Sequence, residues 1–210
     1  MRFVPLLVAT LLNISTAFAG EIREFDVKTL ERLGNELVRT SQRPNRGATD
    51  LVRQRAVQTA RAALRGRLFK LGYDYVVLSD PDGNRFLVYA LGKTPRSAEV
   101  VLGGHFRVTV SADGSTIERI DPLSKTMMVD SERNSGLPPG SRLTALYVNQ
   151  IVSNRPVETF IYLASLARKN IYVGTPGGKM WVVGKGRMRV DTSKPGNNSE
   201  AAAARKAMGR

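Results

Sequence analysis

Residues 73–120 alternate between short β-forming runs and turn signals, and this stretch constrains the fold more than any other part of the chain. The β-forming runs cover residues 73–78, 85–91, 105–110 and 116–120. Between them, residues 79–84 and 112–115 are rich in Asp, Gly, Asn and Ser, which favour turns. Short strands joined by turns at hairpin spacing predict an antiparallel meander. A further run over 99–102 leads to Gly103 and Gly104, where we expect a β-bulge.

Helical periodicity precedes and follows the meander. Asp26 is a suitable cap for a helix over 27–40. Thr49 or Asp50 can cap a longer helix that Gly72 would end. A third helix is predicted over 156–169, opened by a proline. The apolar stripe of the longer helix consists of Val52, Ala56, Ala60, Ala63, Leu64, Leu68 and Leu71.

More β structure is predicted after the meander, with a strand over 143–152 and a closing hairpin over 171–190. Helices and antiparallel strands in this order predict the α+β class, with helices packed on one face of an antiparallel sheet. We expect one basic α+β domain over 20–190. Residues 191–210 are polar and then rich in alanine, which predicts a disordered tail.

The first nineteen residues have the pattern of a secretory signal peptide. Arg2 gives a positive start, residues 3–12 are almost wholly apolar, and Ala17-Phe18-Ala19 places small residues where signal peptidase accepts them. The apolar run is about ten residues, whereas a membrane-spanning helix needs about 20. A buried N-terminal helix or strand is the alternative. We therefore expect a periplasmic or secreted mature chain over 20–210, without a transmembrane segment.

Positive charge is the second strong feature. The chain carries 32 Lys and Arg against 18 Asp and Glu, a formal charge of +14, and removing the signal segment leaves +13 because that segment contains Arg2 and no acid. Such an excess favours an anionic envelope polymer or an acidic protein as the partner. Outside the cytoplasm, nucleic acid is a less available partner. A solvated basic surface that only confers solubility is the other interpretation.

The order of elements from the longer helix onward resembles the plan of PepSY and cystatin-like periplasmic domains. A helix over 50–71 leads into the four runs of the meander, which close with Asp121-Pro122-Leu123-Ser124. PepSY repeats often end in an Asp-x-x-Thr-Gly turn, and this chain lacks that glycine. The resemblance covers about a third of the chain. It implies a binding or inhibitory module and assigns no site residue.

Two groups of basic residues are the candidate binding residues. The longer helix can present Arg53, Arg61, Arg65 and Lys70 as a band. The closing hairpin brings together Lys179, Trp181, Lys185, Arg187 and Arg189, a mixture of cations and an aromatic ring that suits an anionic chain or glycan. The alternative is a solvated basic face with Trp181 in the core.

No catalytic motif is present, and we predict no cofactor and no metal site. His105 is the only histidine and sits at the start of a predicted strand, where we expect a surface or strand-edge role rather than catalysis. The chain has no cysteine, which excludes thiol chemistry and disulfides. Its glycine pairs precede no helix and are better explained as hairpin turns than as phosphate loops.

Paired carboxylates are the remaining enzymatic possibility, as in glycosidases. The available acids include Asp74, Asp80, Asp82, Glu99, Asp113, Glu118, Asp121, Asp130, Glu132 and Glu158. The leading hypothesis is an exported, non-enzymatic binding or assembly protein of the bacterial envelope. The alternatives are a carboxylate-dependent hydrolase of envelope polymers and an inhibitor or immunity protein.

The export hypothesis predicts the first residue of the native protein. N-terminal sequencing of the chain from periplasm or medium should begin at Gly20, because cleavage follows Ala19 in the A-x-A pattern. The cytosolic fraction of the same cells serves as the comparison. Recovery of the native chain from the cytosol, still beginning at Met1, would overturn the predicted compartment.

Overall fold

The computed structural model describes residues 21–42, 50–93, 96, 99–131 and 145–192. The predicted signal peptide therefore lies outside the described residues, as does the predicted tail apart from Asp191 and Thr192. Within the described part the chain forms three helices and ten strands. The helices are α1 (Val27–Ser41), α2 (Leu51–Leu64) and α3 (Thr159–Ala167).

Four strands of the first sheet form the predicted meander. They are β1 (Gly72–Ser79), β2 (Arg85–Lys93), β4 (Phe106–Ser111) and β5 (Ile117–Pro122), and they lie in the order β1-β2-β4-β5 with every neighbour antiparallel. The run at 99–102 does not join this first sheet. It supplies β3 (Glu99–Val101), which pairs with β6 (Val129–Ser131) as a separate two-stranded ribbon.

A second sheet follows in the C-terminal half. Its strands are β7 (Ala145–Asn149), β8 (Asn170–Gly174), β9 (Met180–Gly184) and β10 (Arg187–Val190), in the order β10-β9-β8-β7. The closing hairpin and its extension are confirmed as β8, β9 and β10. The strand before α3 pairs parallel to β8, so α3 is the crossover between them. Asp191 continues the pairing of β10 with β9 by donating its N–H to the carbonyl of Met180 at 2.7 Å.

Both faces of the first sheet are covered by helices. Val88, Ala90 and Val108 face α2, whose small residues Ala56 and Ala60 allow close approach. The alternate residues of β1 and β2 point the other way and join α1, α3 and the second sheet in the main core. The layers are therefore α2, first sheet, α1 with α3, and second sheet.

The predicted α+β class is confirmed, since helices pack against an antiparallel sheet. The helices are divided between the two faces of that sheet rather than gathered on one. The central strand β2 is buried over Leu87–Gly92, because it receives α2 on one side and the main core on the other.

Helix α1 begins where its cap predicts, since the side chain of Asp26 accepts the N–H of Thr29 at 2.9 Å. Its leucines at 30, 33 and 37 are buried in the main core. Gly34 allows α1 to contact α3 closely, because a Cβ at this position would stand 2.6 Å from Cβ of Ile161. Helix α2 is shorter than predicted: it ends at Leu64, and Gly66 leaves the helix with φ +80°.

A buried arginine joins the layers. Arg107 on β4 has 1% of its side chain exposed and donates to Asp121 and to Glu158, each at 2.8 Å. It also donates to the backbone carbonyl of Arg23, and Tyr89 donates its hydroxyl to the same Glu158 oxygen at 2.8 Å. Burial disfavours the charged guanidinium, but Glu158, Tyr89 and Asp121 outweigh this cost and raise the pKa of Arg107.

Residues 21–26, the N-terminal strap, are fastened to this arginine and to the turn after β1. The guanidinium of Arg23 forms two 2.7 Å hydrogen bonds with Asp80 and a third with Asp82. Phe25 is buried, and the guanidinium carbons of Arg23 and Arg107 lie 4.7 and 4.8 Å from its ring centroid. The strap is therefore part of the fold rather than a loose terminus.

Replacing Arg107 with Leu should destabilise the protein by about 3–5 kcal/mol, because Glu158 would remain buried without a cation and Asp121 would keep only Arg119. Urea unfolding followed by circular dichroism measures this change. Arg119→Gln is the matched control, since Arg119 also binds Asp121, at 2.6 Å, but is 43% exposed. It should cost less than about 1 kcal/mol. Equal losses in the two variants would contradict the central role of Arg107.

His105 is buried, with 2% of its surface exposed, so the expected surface role is wrong, and it lies directly before β4. Its Nδ1 accepts the N–H of Gly92 at 3.0 Å, which leaves the proton on Nε2 to be donated to the carbonyl of Val101 at 2.9 Å. Burial lowers the pKa of His105 to about 4, although the bond to Val101 opposes the shift. The neutral imidazole therefore joins the end of β2 to the end of β3 by two hydrogen bonds.

The low pKa of His105 makes stability depend on pH. The unfolded chain binds its proton near pH 6.5 and the folded chain only near pH 4, so stability is full above 6.5 and is lost as the pH falls from 6.5 to 4. The loss from this group is about 3 kcal/mol. His105→Gln should show a flatter stability profile over this window than the unmodified protein. Parallel profiles in urea titrations at each pH would contradict this linkage.

Candidate anion-binding surfaces

The α2 surface is the side of α2 and of its following turn that faces away from the first sheet. Residues 51–73 contain no Asp or Glu. Their cations are Arg53, Arg55, Arg61, Arg65, Arg67 and Lys70. Because Ala56, Ala60 and Leu64 occupy the sheet-facing side of the helix, the cations lie on its flanks and on its exposed side.

Two of the predicted band residues are anchored to the sheet beneath them. Arg53 donates Nη1 to the carbonyl of Val77 on β1 at 3.0 Å and pairs with Asp50 at 3.1 Å. The guanidinium of Arg61 lies 4.6 Å from the ring centroid of Tyr75. Arg53 is thus largely engaged in holding α2 on β1. Arg61 stays exposed, and its contact with the Tyr75 ring orients its guanidinium.

Arg65 and Lys70 complete the band, and their side chains have no partner among the described residues. Both are exposed, and neither side chain forms an ion pair or hydrogen bond with a residue that the structure describes. Arg65 caps the end of α2, where a cation also interacts favourably with the helix dipole. The α2 surface therefore presents Arg61, Arg65 and Lys70 to solvent without a compensating acid in that segment.

The hairpin residues do not form one cluster. Trp181 is half-buried and packs against the main core, so its ring lies on the inner side of the second sheet. Arg189 is paired in register with Val182, which belongs to the outer side. Lys179 lies in the turn between β8 and β9 and is exposed. This placement agrees with the alternative interpretation, in which Trp181 packs against the core.

Lys185 and Arg187 belong to an open groove between α1 and the β9–β10 turn. The groove has a volume of about 760 Å³. It is lined by Lys28, Thr29, Glu31, Arg32, Asn35, Lys185, Gly186 and Arg187. Lys28 and Arg32 were not predicted as binding residues. Their i,i+4 spacing indicates that they lie on the same side of a helix, but it does not indicate what that side faces.

Much of the charge in this groove is already neutralised. Glu31 accepts Arg187 Nη1 at 3.1 Å and the N–H of Met188 at 2.8 Å. Arg32 pairs with Glu36 at 3.6 Å. Lys185 adopts φ 50°, the left-handed region that lysine rarely occupies, and has no ion-pair partner among the described residues. The groove is therefore a weaker cationic site than the α2 surface.

The two basic surfaces lie on opposite sides of the first sheet. Helix α2 covers its outer face, whereas α1, which borders the groove, packs on the other face. One small ligand cannot contact both. The predicted binding residues consequently divide into two separate surfaces, and only a long polymer or a large partner could engage them together.

The carboxylates of the proposed hydrolase are engaged in the fold. Burial alone would raise the pKa of Asp80, but hydrogen bonds from Arg23 outweigh it and the pKa is lowered. Hydrogen bonds from Ser111 and Ser115 lower the pKa of Asp113 to about 2. A carboxyl group with a lowered pKa is ionised near neutral pH, so these shifts disfavour Asp80 and Asp113 as proton donors. Among the other acids considered, Glu132 lies outside the described residues.

No protein-family model matches this chain, and no curated protein or solved structure is similar to it at a significant level. The resemblance to PepSY and cystatin-like domains therefore stays a prediction. Within the described ranges, no three His, Asp or Glu side chains lie close enough together to hold a metal ion. None of the described helices combines the length and apolarity needed to span a membrane.

Proposed function

We propose that this chain is an exported, non-enzymatic binding protein that recognises an anionic partner of the bacterial envelope through the α2 surface. The observation that carries the proposal is the absence of any acid over residues 51–73, which carry six cations on α2 and in the turn that follows it. Cations without an acid partner, here Arg61, Arg65 and Lys70, attract polyanions and steer them to the surface.

The rigidity of α2 supports the same proposal. Arg53 is bonded to the backbone of β1, and Thr59 donates its hydroxyl to the carbonyl of Gly114 at 2.8 Å on the other side of the helix. The helix is thus held at both flanks, and its cations are presented without a large ordering cost on binding. The groove beside α1 lacks this excess of free charge, because Glu31 and Glu36 engage two of its arginines.

The alternative functions have less support. Most described acids that a hydrolase would need are bound to arginines or lysines, as for Asp121, Glu158 and Asp80. No feature of the described residues favours an inhibitor or immunity protein over a polymer-binding protein. Both remain predictions from the sequence.

Binding to dextran sulfate tests the proposal, with uncharged dextran as the control polymer. The affinity should fall as salt is raised, because screening weakens surface charge. Arg61→Gln/Arg65→Gln/Lys70→Gln should weaken binding about tenfold or more, since a cation near an anionic surface contributes roughly 1 kcal/mol. Titration by fluorescence anisotropy or calorimetry gives the dissociation constants.

A matched variant removes the same number of charges elsewhere. Lys179→Gln/Lys185→Gln/Arg189→Gln takes three exposed cations from the hairpin, and we expect a change of less than about threefold. Equal weakening by the two triple variants would show that net charge alone drives binding and would refute the assignment to α2. An affinity that does not change with salt would refute the electrostatic mechanism.

A further inference from the structure

Two segments meet at one corner of the molecule, beyond the end of α2. We call residues 68–70 and 125–128 the tip. A chain of hydrogen bonds joins them: the N–H of Phe69 donates to the hydroxyl of Tyr73 at 3.2 Å, and that hydroxyl donates to the carbonyl of Gly104 at 3.0 Å. The N–H of Gly104 donates to Ser124 Oγ at 2.6 Å, which in turn donates to the carbonyl of Thr126 at 2.9 Å.

Glycines 103 and 104 bring the two segments into contact. A Cβ on Gly104, whose φ is +80°, would lie 3.0 Å from the Phe69 ring and 3.6 Å from Cβ of Met127. A Cβ on Gly103 would lie 2.4 Å from the carbonyl oxygen of Thr126. A side chain at either position would push the loop away, so the pair of glycines fixes the tip as a defined shape.

The tip exposes methionine side chains. Met127 is 40% and Met128 is 39% exposed, while Phe69 is half-buried beside them. Single exposed apolar residues are ordinary on protein surfaces. Two consecutive, partly exposed methionines on a hydrogen-bonded loop form a small local apolar surface.

The tip contains two lysines, and neither of its two segments contains an acid. Lys70 and Lys125 are exposed, and residues 51–73 and 122–129 contain no Asp or Glu. Of the acids next in sequence, Asp74 pairs with Lys93 at 2.5 Å, Asp121 is buried against Arg107, and Asp130, two residues from Met128, is half-buried on β6. Apolar side chains with cations around them are the composition that favours the boundary of an anionic lipid bilayer.

We propose that the tip docks on an anionic lipid surface, with Met127 and Met128 entering the headgroup boundary and Lys70 and Lys125 contacting lipid phosphates. This inference rests on the proposed function, because Lys70 is shared between the tip and the α2 surface. It adds an apolar component that a soluble polyanion does not use. A membrane therefore has two sources of affinity for this surface, whereas dextran sulfate has one.

Vesicle sedimentation tests the inference with the full mature chain. The protein should bind vesicles that contain phosphatidylglycerol and not vesicles of phosphatidylcholine alone, because the lysines need anionic headgroups. Met127→Gln/Met128→Gln should weaken binding to the anionic vesicles about tenfold while leaving dextran sulfate binding unchanged. Ile151→Gln/Val190→Gln is the control, since Ile151, after β7, is 57% exposed and Val190, on β10, is 39% exposed. It should bind vesicles as the unmodified protein does.

A labelled chain gives an independent measurement that does not depend on losing binding. The chain has no cysteine, so Met127→Cys can carry a single polarity-sensitive fluorophore. Its emission should shift to the blue on addition of phosphatidylglycerol vesicles, whereas the same label at Ile151→Cys should not respond.

The outcomes separate the two proposals. Dextran sulfate binding without binding to anionic vesicles would overturn the tip inference and leave the proposed function standing. Failure to bind either would overturn both. Unchanged vesicle binding by the methionine variant, or a label at position 127 that stays in water on the vesicle, would show that the tip does not enter the bilayer. A protein partner that needs the methionines but no lipid would likewise replace this inference.

Discussion

Arg107 carries a full positive charge inside the fold, and the groups around it pair with that charge. An unpaired ion in a protein interior is strongly unfavourable, so its partners must be in place whenever the core is formed. Those partners come from three separate parts of the chain: Asp121 from β5, Glu158 from the start of α3, and the carbonyl of Arg23 from the strap. The interaction thereby fixes the first sheet, the middle helix layer and the N-terminal strap against one another.

This arrangement also explains why the positive charge is unevenly distributed. Much of the acid in the chain is used within the fold, at Asp80 and Asp121 in the first sheet and at Glu31 beside the groove. Helix α2 lies outside these layers and has a single acid at its start, Asp50, which serves as its cap. Asp80, Asp121 and Glu31 thus pair with arginines, whereas Arg61, Arg65 and Lys70 on the α2 surface have no acid partner among the described residues.

The same helix leads directly into the tip, so charge and exposed apolar surface are contiguous. The turn after α2 is held by Tyr73, and the opposing loop rests on Gly103 and Gly104. A surface that is ordered before binding loses little conformational freedom when a partner arrives. The turn after α2 and the methionine loop are thus joined through Gly104, even though they come from segments more than fifty residues apart.

Local periodicity and turn chemistry were enough to predict α1 from Asp26, the meander from the turns at 79–84 and 112–115, and the closing hairpin. These elements depend on residues close in sequence. The parallel pairing of β7 with β8, the burial of His105 and the approach of Phe69 and Met127 to Gly104 depend on segments brought together only by folding. The sequence by itself determined the helices, most strands and the excess of cations. The tertiary structure decided which cations stay free, because neutralisation depends on partners distant along the chain.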